Sequence, residues 1–142
     1  MKLYHGTTKE YAQKILENNF SIKRSGSWIL GSGVYFTTDF ECAERYGETI
    51  LEVDVDEDVL EEILDLDATD HTLDEIIIEA SKNEYSSQYK SEGDRITSYV
   101  VEELMFFGLK ADFKEGTHIC LFSIDDIIEK EDIKEVGKNV WN

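Results

Sequence analysis

The spacing of apolar positions changes several times along the chain, and each change marks an element. Lys2 to Tyr4 is a short, partly apolar opening that suits an edge strand. Tyr11, Ile15, Leu16 and Asn19 then recur at i, i+4, i+5 and i+8, which predicts a helix over about 8–18. Thr7-Thr8-Lys9-Glu10 reads as its capping box, with the Thr7 hydroxyl offered to a backbone donor and Glu10 reaching back. Residues 21–33 are irregular, with Gly26, Gly31 and Gly33 set among serines around Trp28, Ile29 and Leu30. Val34 to Thr37 has the β-branched and aromatic content of a strand. Thr38-Asp39-Phe40-Glu41 is a second capping box, opening a short helix through Tyr46 that Gly47 stops.

Thr49 to Val55 alternates apolar and polar residues and predicts a strand. Residues 57–66 and 72–90 have helical spacing, with Ile76, Ile77, Ile78 and Ala80 on the buried side. Ile96 to Phe107 predicts a further helix, with Val100, Val101, Leu104 and Phe107 inward and Gly108 at its end. Ile119 to Phe122 is an apolar strand, and Ile133 to Val140 reads as another. Without a repeat or a linker, the pattern describes one α+β domain over residues 1–142, with an acidic helical insertion at about 56–107.

Composition supports a folded chain. Hydrophobic residues make up 41% and aromatic residues 11%, enough to offset the cost of ordering 142 residues. The charge is lopsided: 32 acidic and 14 basic side chains leave a formal net charge of −18. Nucleic-acid backbones and anionic membrane surfaces need a basic footprint, so both are disfavoured partners. Residues 1–46, however, carry six basic and five acidic side chains, whereas residues 47–81 hold fourteen acids and no Lys or Arg. That run reads as a solvated face. The sharper alternative is a docking surface for a basic protein, or a mimic of nucleic acid. No stretch approaches the roughly 20 apolar residues of a membrane span, and Met1 to Thr7 lacks a signal-peptide core. Cys42 and Cys120 sit in apolar settings without metal-ligand spacing, which predicts two buried thiols in a cytoplasmic protein.

Two segments could carry chemistry. Leu3-Tyr4-His5-Gly6-Thr7 joins a strand end to a capped helix, where glycine allows close approach and free backbone N–H groups suit anions. Taken alone, His5-Gly6 would be an ordinary turn with a satisfied histidine. Leu30-Gly31-Ser32-Gly33-Val34-Tyr35-Phe36-Thr37-Thr38 is the second, and its Gly-x-Gly by itself is only a flexible loop. Ala43 and Tyr46, three residues apart, share a face of the next helix, so Tyr46 can approach Tyr35. Two facing rings make a slot for a flat aromatic ligand.

Together these residues resemble the NAD-binding signature of the diphtheria-toxin-like ADP-ribosyltransferases, the group that contains the poly(ADP-ribose) polymerases. His5-Gly6-Thr7, the Leu30 to Thr37 run, and Ala43 with Tyr46 follow that signature in order over residues 3–46, with Asn19-Phe20 where Gly-Phe is usual. Ile119 to Ile127 is more loosely similar to the family's closing strand. The resemblance implies two small antiparallel sheets around an NAD cleft with flanking helices. It implies that His5 binds the adenine-side ribose, Gly6 holds the nicotinamide amide through its backbone, and Tyr35 and Tyr46 sandwich the ring. Thr7, Gly33, Thr37 and Ala43 complete the implied cofactor site, and no metal is implied.

The family's glutamate, at the start of the closing strand, falls on His118. A neutral imidazole can bond a ribose hydroxyl but offers no opposing charge to a cationic transition state. Glu115 and Asp112, three and six residues upstream, are the acids that could stand in, with Glu115 preferred. The resemblance thus implies a mono-ADP-ribosyltransferase that modifies a protein or nucleic-acid target, in the manner of small toxins and phage or bacterial effectors. With this charge, the expected target is a protein with a basic surface. The alternatives are a catalytically silent NAD- or ADP-ribose-binding module and an acidic inhibitor occupying a partner's basic site. The related RNA 2′-phosphotransferases would call for basic residues that this chain is poor in.

Overall fold

The computed structural model describes residues 1–21, 27–82 and 91–137. Its strands are β1 (Lys2–Thr7), β2 (Ser27–Trp28), β3 (Gly31–Ser32), β4 (Val34–Thr37), β5 (Thr49–Asp54), β6 (Leu64–Asp65), β7 (Gly108–Phe113), β8 (Gly116–Leu121) and β9 (Ile133–Val136). Its α-helices are α1 (Lys9–Asn18), α2 (Phe40–Ala43), α3 (Glu57–Leu60), α4 (Leu73–Ala80) and α5 (Glu92–Tyr99). A 3-10 turn, Glu44–Tyr46, extends α2, and a π-helical turn, Val100–Leu104, extends α5.

The fold is α+β, but its strands do not form two separate antiparallel sheets. Seven of them make one mixed sheet in the order β6-β7-β8-β4-β1-β5-β9, with β6 and β7 parallel, and β2 and β3 form a small ribbon. β1 is therefore an interior strand rather than an edge. It pairs with β5 from Lys2↔Asp54 to Thr7↔Thr49. On its other side it meets β4 at the single pair Tyr4↔Thr37. Continuing that register would set His5 opposite Phe36, Gly6 opposite Tyr35 and Thr7 opposite Val34, and these pairs do not form. The sheet splits there. The split leaves strand carbonyls in need of new partners, and the His5 ring supplies one: its Nδ1 lies 2.7 Å from the Tyr35 carbonyl oxygen.

Both faces of the sheet are covered, which explains the unbroken apolar run at residues 119–122. Leu3, Val34, Phe36, Leu51, Val53, Ile119 and Leu121 pack on one side with α1 and residues 124–128. Leu64, Leu109, Ala111 and Cys120 pack on the other, against Ile76, Ala80, Ile96 and Val100 of α4, α5 and the π turn. The acid-rich segment is mostly solvated: of its carboxylates only Glu52 is buried, and there it pairs with Lys2 at 3.2 Å and Lys134 at 3.5 Å. No helix among the described residues is long and apolar enough to cross a membrane.

Tertiary pairing moves several expected boundaries. The helix expected over 57–66 ends at Leu60, because Leu64–Asp65 joins the sheet edge beside β7, so the 56–107 segment is not wholly helical. α4 is short, and its buried stripe is Ile76 and Ala80; Ile78, on the opposite side, is 62% exposed. The part of the expected 72–90 helix at 83–90 lies outside the described residues, as do 138–140 of the expected last strand. The chain leaves the π turn through Met105, whose φ of 61° is left-handed, and Phe107 is 41% exposed instead of inward. Gly108 then opens β7 rather than capping a helix. Both expected caps shift by one residue. Thr7 is still paired in β1, so Thr8 accepts from the Tyr11 N–H, and Asp39 rather than Thr38 caps α2.

Candidate functional site

Two cavities open along the split between β1 and β4. The inner one, of about 330 Å³, is lined by His5, Gly6, Tyr35, Thr37, Ala43, Tyr46 and His118, together with Tyr4 and Phe36. The outer one, of about 350 Å³, is lined by His5, Thr7, Gly33, Val34 and Tyr35 and by the face of α1 that carries Tyr11, Lys14 and Ile15, closed by residues 19–21. His5 and Tyr35 belong to both, so the two form neighbouring chambers of one cleft. Each is within the size range of small-ligand sites. A third cavity of about 350 Å³ lies elsewhere, walled by Asp58, Glu62, Phe107 and Asp126.

His5 is fixed by its surroundings. Its ring packs edge-on to Phe20 at 5.1 Å and tilted against Phe36 at 5.7 Å. Burial lowers its pKa, outweighing the raising effect of the Tyr35 carbonyl, so the ring is neutral at pH 7. A carbonyl oxygen can only accept, so the Nδ1–H donates to it and Nε2 keeps a lone pair. A ligand hydroxyl meeting His5 would therefore be the donor. Gly6 has a packing reason to be glycine: a Cβ there would run into the Ala43 carbonyl oxygen. Its absence lets α2 and the 3-10 turn lie directly over β1 and brings Ala43 and Tyr46 to the inner chamber.

Tyr35 has two functions at once. It is a lining residue of both chambers, and its hydroxyl is held by the β2–β3 ribbon, donating to the Gly31 carbonyl at 2.5 Å and accepting from the Leu30 N–H at 3.1 Å. Tyr46, 48% exposed, reaches the inner chamber from the other side, and its ring lies edge-on to His118 with centroids 5.8 Å apart. Burial raises the Tyr46 pKa, as do the nearby Cys42 and Glu115. Thr37 is buried with its hydroxyl donating to the Asp39 carbonyl.

His118 is 1% exposed and faces the same chamber from β8, opposite Thr37. Its Nε2 lies 3.3 Å from Glu115 Oε1 and 4.0 Å from Cys42 Sγ. The structure thus joins the two candidates: Glu115, in the β7–β8 turn, sits beside His118 and 26% exposed. Thiol and carboxylate meet the same ring nitrogen, so Glu115 does not orient the His118 ring for Cys42 as the third group of a relay would. Burial also raises the Cys42 pKa and keeps it a thiol. Asp112 is elsewhere. It lies within β7 and binds the Thr117 hydroxyl at 2.5 Å, while Thr117 is one strand position off the His118 face.

The α1 residues Tyr11, Lys14 and Ile15 are the part of the site that sequence reading missed. Tyr11 and Ile15 were read only as part of the helical pattern with no stated destination, and Lys14 was not singled out. Tyr4, Phe36 and Cys42 were also unassigned. No protein-family model matches the chain, and no curated protein matches it. A solved structure, described as the crystal structure of an anti-CRISPR protein, superposes with a TM-score of 0.50 at 14% identity, covering 96% of this chain and 95% of that one. The likeness is one of fold.

Proposed function

We propose that the cleft binds NAD and that the protein transfers ADP-ribose from it to a protein target as single units, within an ADP-ribosyltransferase-like fold. One observation carries this reading. His5, Gly6, Tyr35, Thr37, Ala43 and Tyr46, from three separate stretches of sequence, line one chamber at a split in the sheet. The chamber's described lining includes Tyr4, Tyr35, Phe36 and Tyr46, side chains that suit a flat aromatic ring, the cationic nicotinamide of NAD included. Tyr46 and Tyr35 would flank the ring, the Gly6 backbone would hold its amide, and His5 Nε2 would accept from a ribose hydroxyl.

The acid is Glu115. Bonded to the lining residue His118 at its Nε2, it would be oriented there and would oppose positive charge developing on the ribose. His118 is then a positioning residue. In the transfer, the bond from ribose to nicotinamide breaks with its electron pair left on the ring nitrogen. The target's nucleophile bonds to that ribose carbon and gives its proton to solvent. The exposed acids of residues 47–81 offer the surface for a target with a basic face.

A second reading is favoured by the buried His118: an NAD- or ADP-ribose-binding module that does no chemistry. Labelled NAD separates the two. Incubation with basic candidate proteins, including components of CRISPR effector complexes, should give transferred label with the native chain and none with Tyr46→Ala or Glu115→Gln. Saturable NAD binding without transfer or nicotinamide release leaves the binding module, and absence of NAD binding removes both.

A further inference from the structure

The cleft is the exception to the charge of the chain. Acids are 32 of 142 residues, so the eighteen described residues lining the two chambers would include about four by composition alone. They include none. The one Lys or Arg among them is Lys14, in the outer chamber. Its ammonium lies 5.5 Å above the Tyr11 ring and 3.8 Å from Glu10 Oε1, a long ion pair with a carboxylate that is 81% exposed. A weak, solvated pair of that kind costs little to exchange for a better anion. Thr7 and Gly33 border the same chamber, and His5 joins it to the inner one.

We infer that Lys14 makes the outer chamber selective for ligands bearing phosphate, and that Glu10 competes with the ligand for it. This rests on the NAD reading for the identity of the ligand but not for the anion preference, which follows from the charge pattern alone. In a dinucleotide, the ring would fill the inner chamber and the diphosphate would replace Glu10 at Lys14. A charge-assisted bond to phosphate is among the stronger polar contacts available. The long ammonium stem also lets it follow a moving group.

Calorimetric titrations of the full chain with NAD, ADP-ribose, nicotinamide and inorganic pyrophosphate test this. Lys14→Gln should weaken NAD and ADP-ribose by about tenfold or more and leave nicotinamide unchanged. Lys14→Arg should restore most of the loss, and Glu10→Gln should tighten both phosphate-bearing ligands. NAD binding that is indifferent to Lys14→Gln overturns the role of Lys14 while the NAD reading stands. Pyrophosphate binding that depends on Lys14, with no nicotinamide binding, supports the anion site and sinks the NAD reading. A native chain that binds none of the four ligands overturns the anion preference itself.

Discussion

Replacing Tyr35 with phenylalanine separates the two functions assigned to that side chain. The change keeps the aromatic ring and removes only the hydroxyl that binds Gly31 and Leu30. Leu30 is fully buried and Gly31 is buried, so the freed N–H and C=O have little access to water. Two net hydrogen bonds at ~1 kcal/mol each, plus the cost of burying unpaired groups, give about 2–3 kcal/mol of lost stability. The weak Cys120 thiol contact to the Gly31 carbonyl, at 4.0 Å, recovers little of this. For a chain of this size, that loss lowers Tm by about 6–10 °C. Urea unfolding should show the loss without a change in slope, and amide exchange should quicken at Leu30 first. Ligand affinity for the ring, measured well below Tm, should stay within about twofold, since the aromatic face is intact. A Tyr35→Phe protein as stable as the native one, with Leu30 still protected, would refute the role given to the hydroxyl's bonds to Gly31 and Leu30.

Other consequences follow from the same geometry. Gly6→Ala should lose about 1–3 kcal/mol by forcing α2 off β1, and it should abolish binding in the inner chamber; native-like stability by urea unfolding would contradict the close approach at Ala43. His5 has a folded pKa below its unfolded value near 6.5, so the unfolded chain binds the proton more readily, and the stability its neutrality confers is complete above about pH 6.5 and lost as pH falls below it. The difference in stability between native and His5→Gln chains should therefore shrink on acidification through that range, and a difference that stays flat would show that His5 is not buried neutral. Cys42 and Cys120 are both buried with raised pKa values, so alkylation at pH 8 should label neither until the chain unfolds. One rapid equivalent on the native protein would place a thiol at the surface.

Local signals located the segments of the candidate site better than the architecture. β4 was legible to the residue because Val34 to Thr37 combines β-branched and aromatic side chains. β1 was not, since His5-Gly6-Thr7 has no apolar alternation and its place between β4 and β5 is decided by partners far along the chain. β7 was missed although Leu109, Ala111 and Phe113 alternate, because Gly108 looked like the end of the preceding helix. The expected 57–66 helix lost to strand pairing at Leu64, a tertiary effect that helical spacing cannot register. At the site, the motif residues did converge, while Lys14 stood out only once the cavity showed which α1 face lines it. Glu115 and His118 were rivals on the sequence alone; three residues apart across a turn into β8, they are neighbours in space.

Amide NMR during an NAD titration tests the central claim most directly. If the split between β1 and β4 is the nucleotide site, saturable shifts should concentrate at residues 5–7, 33–37, 43–46 and 118, with Tyr46→Ala weakening the response. The amides of Asp58, Glu62 and Asp126, around the acidic third cavity, should stay in place. Shifts that cluster at the third cavity, or none at millimolar NAD, would contradict the account.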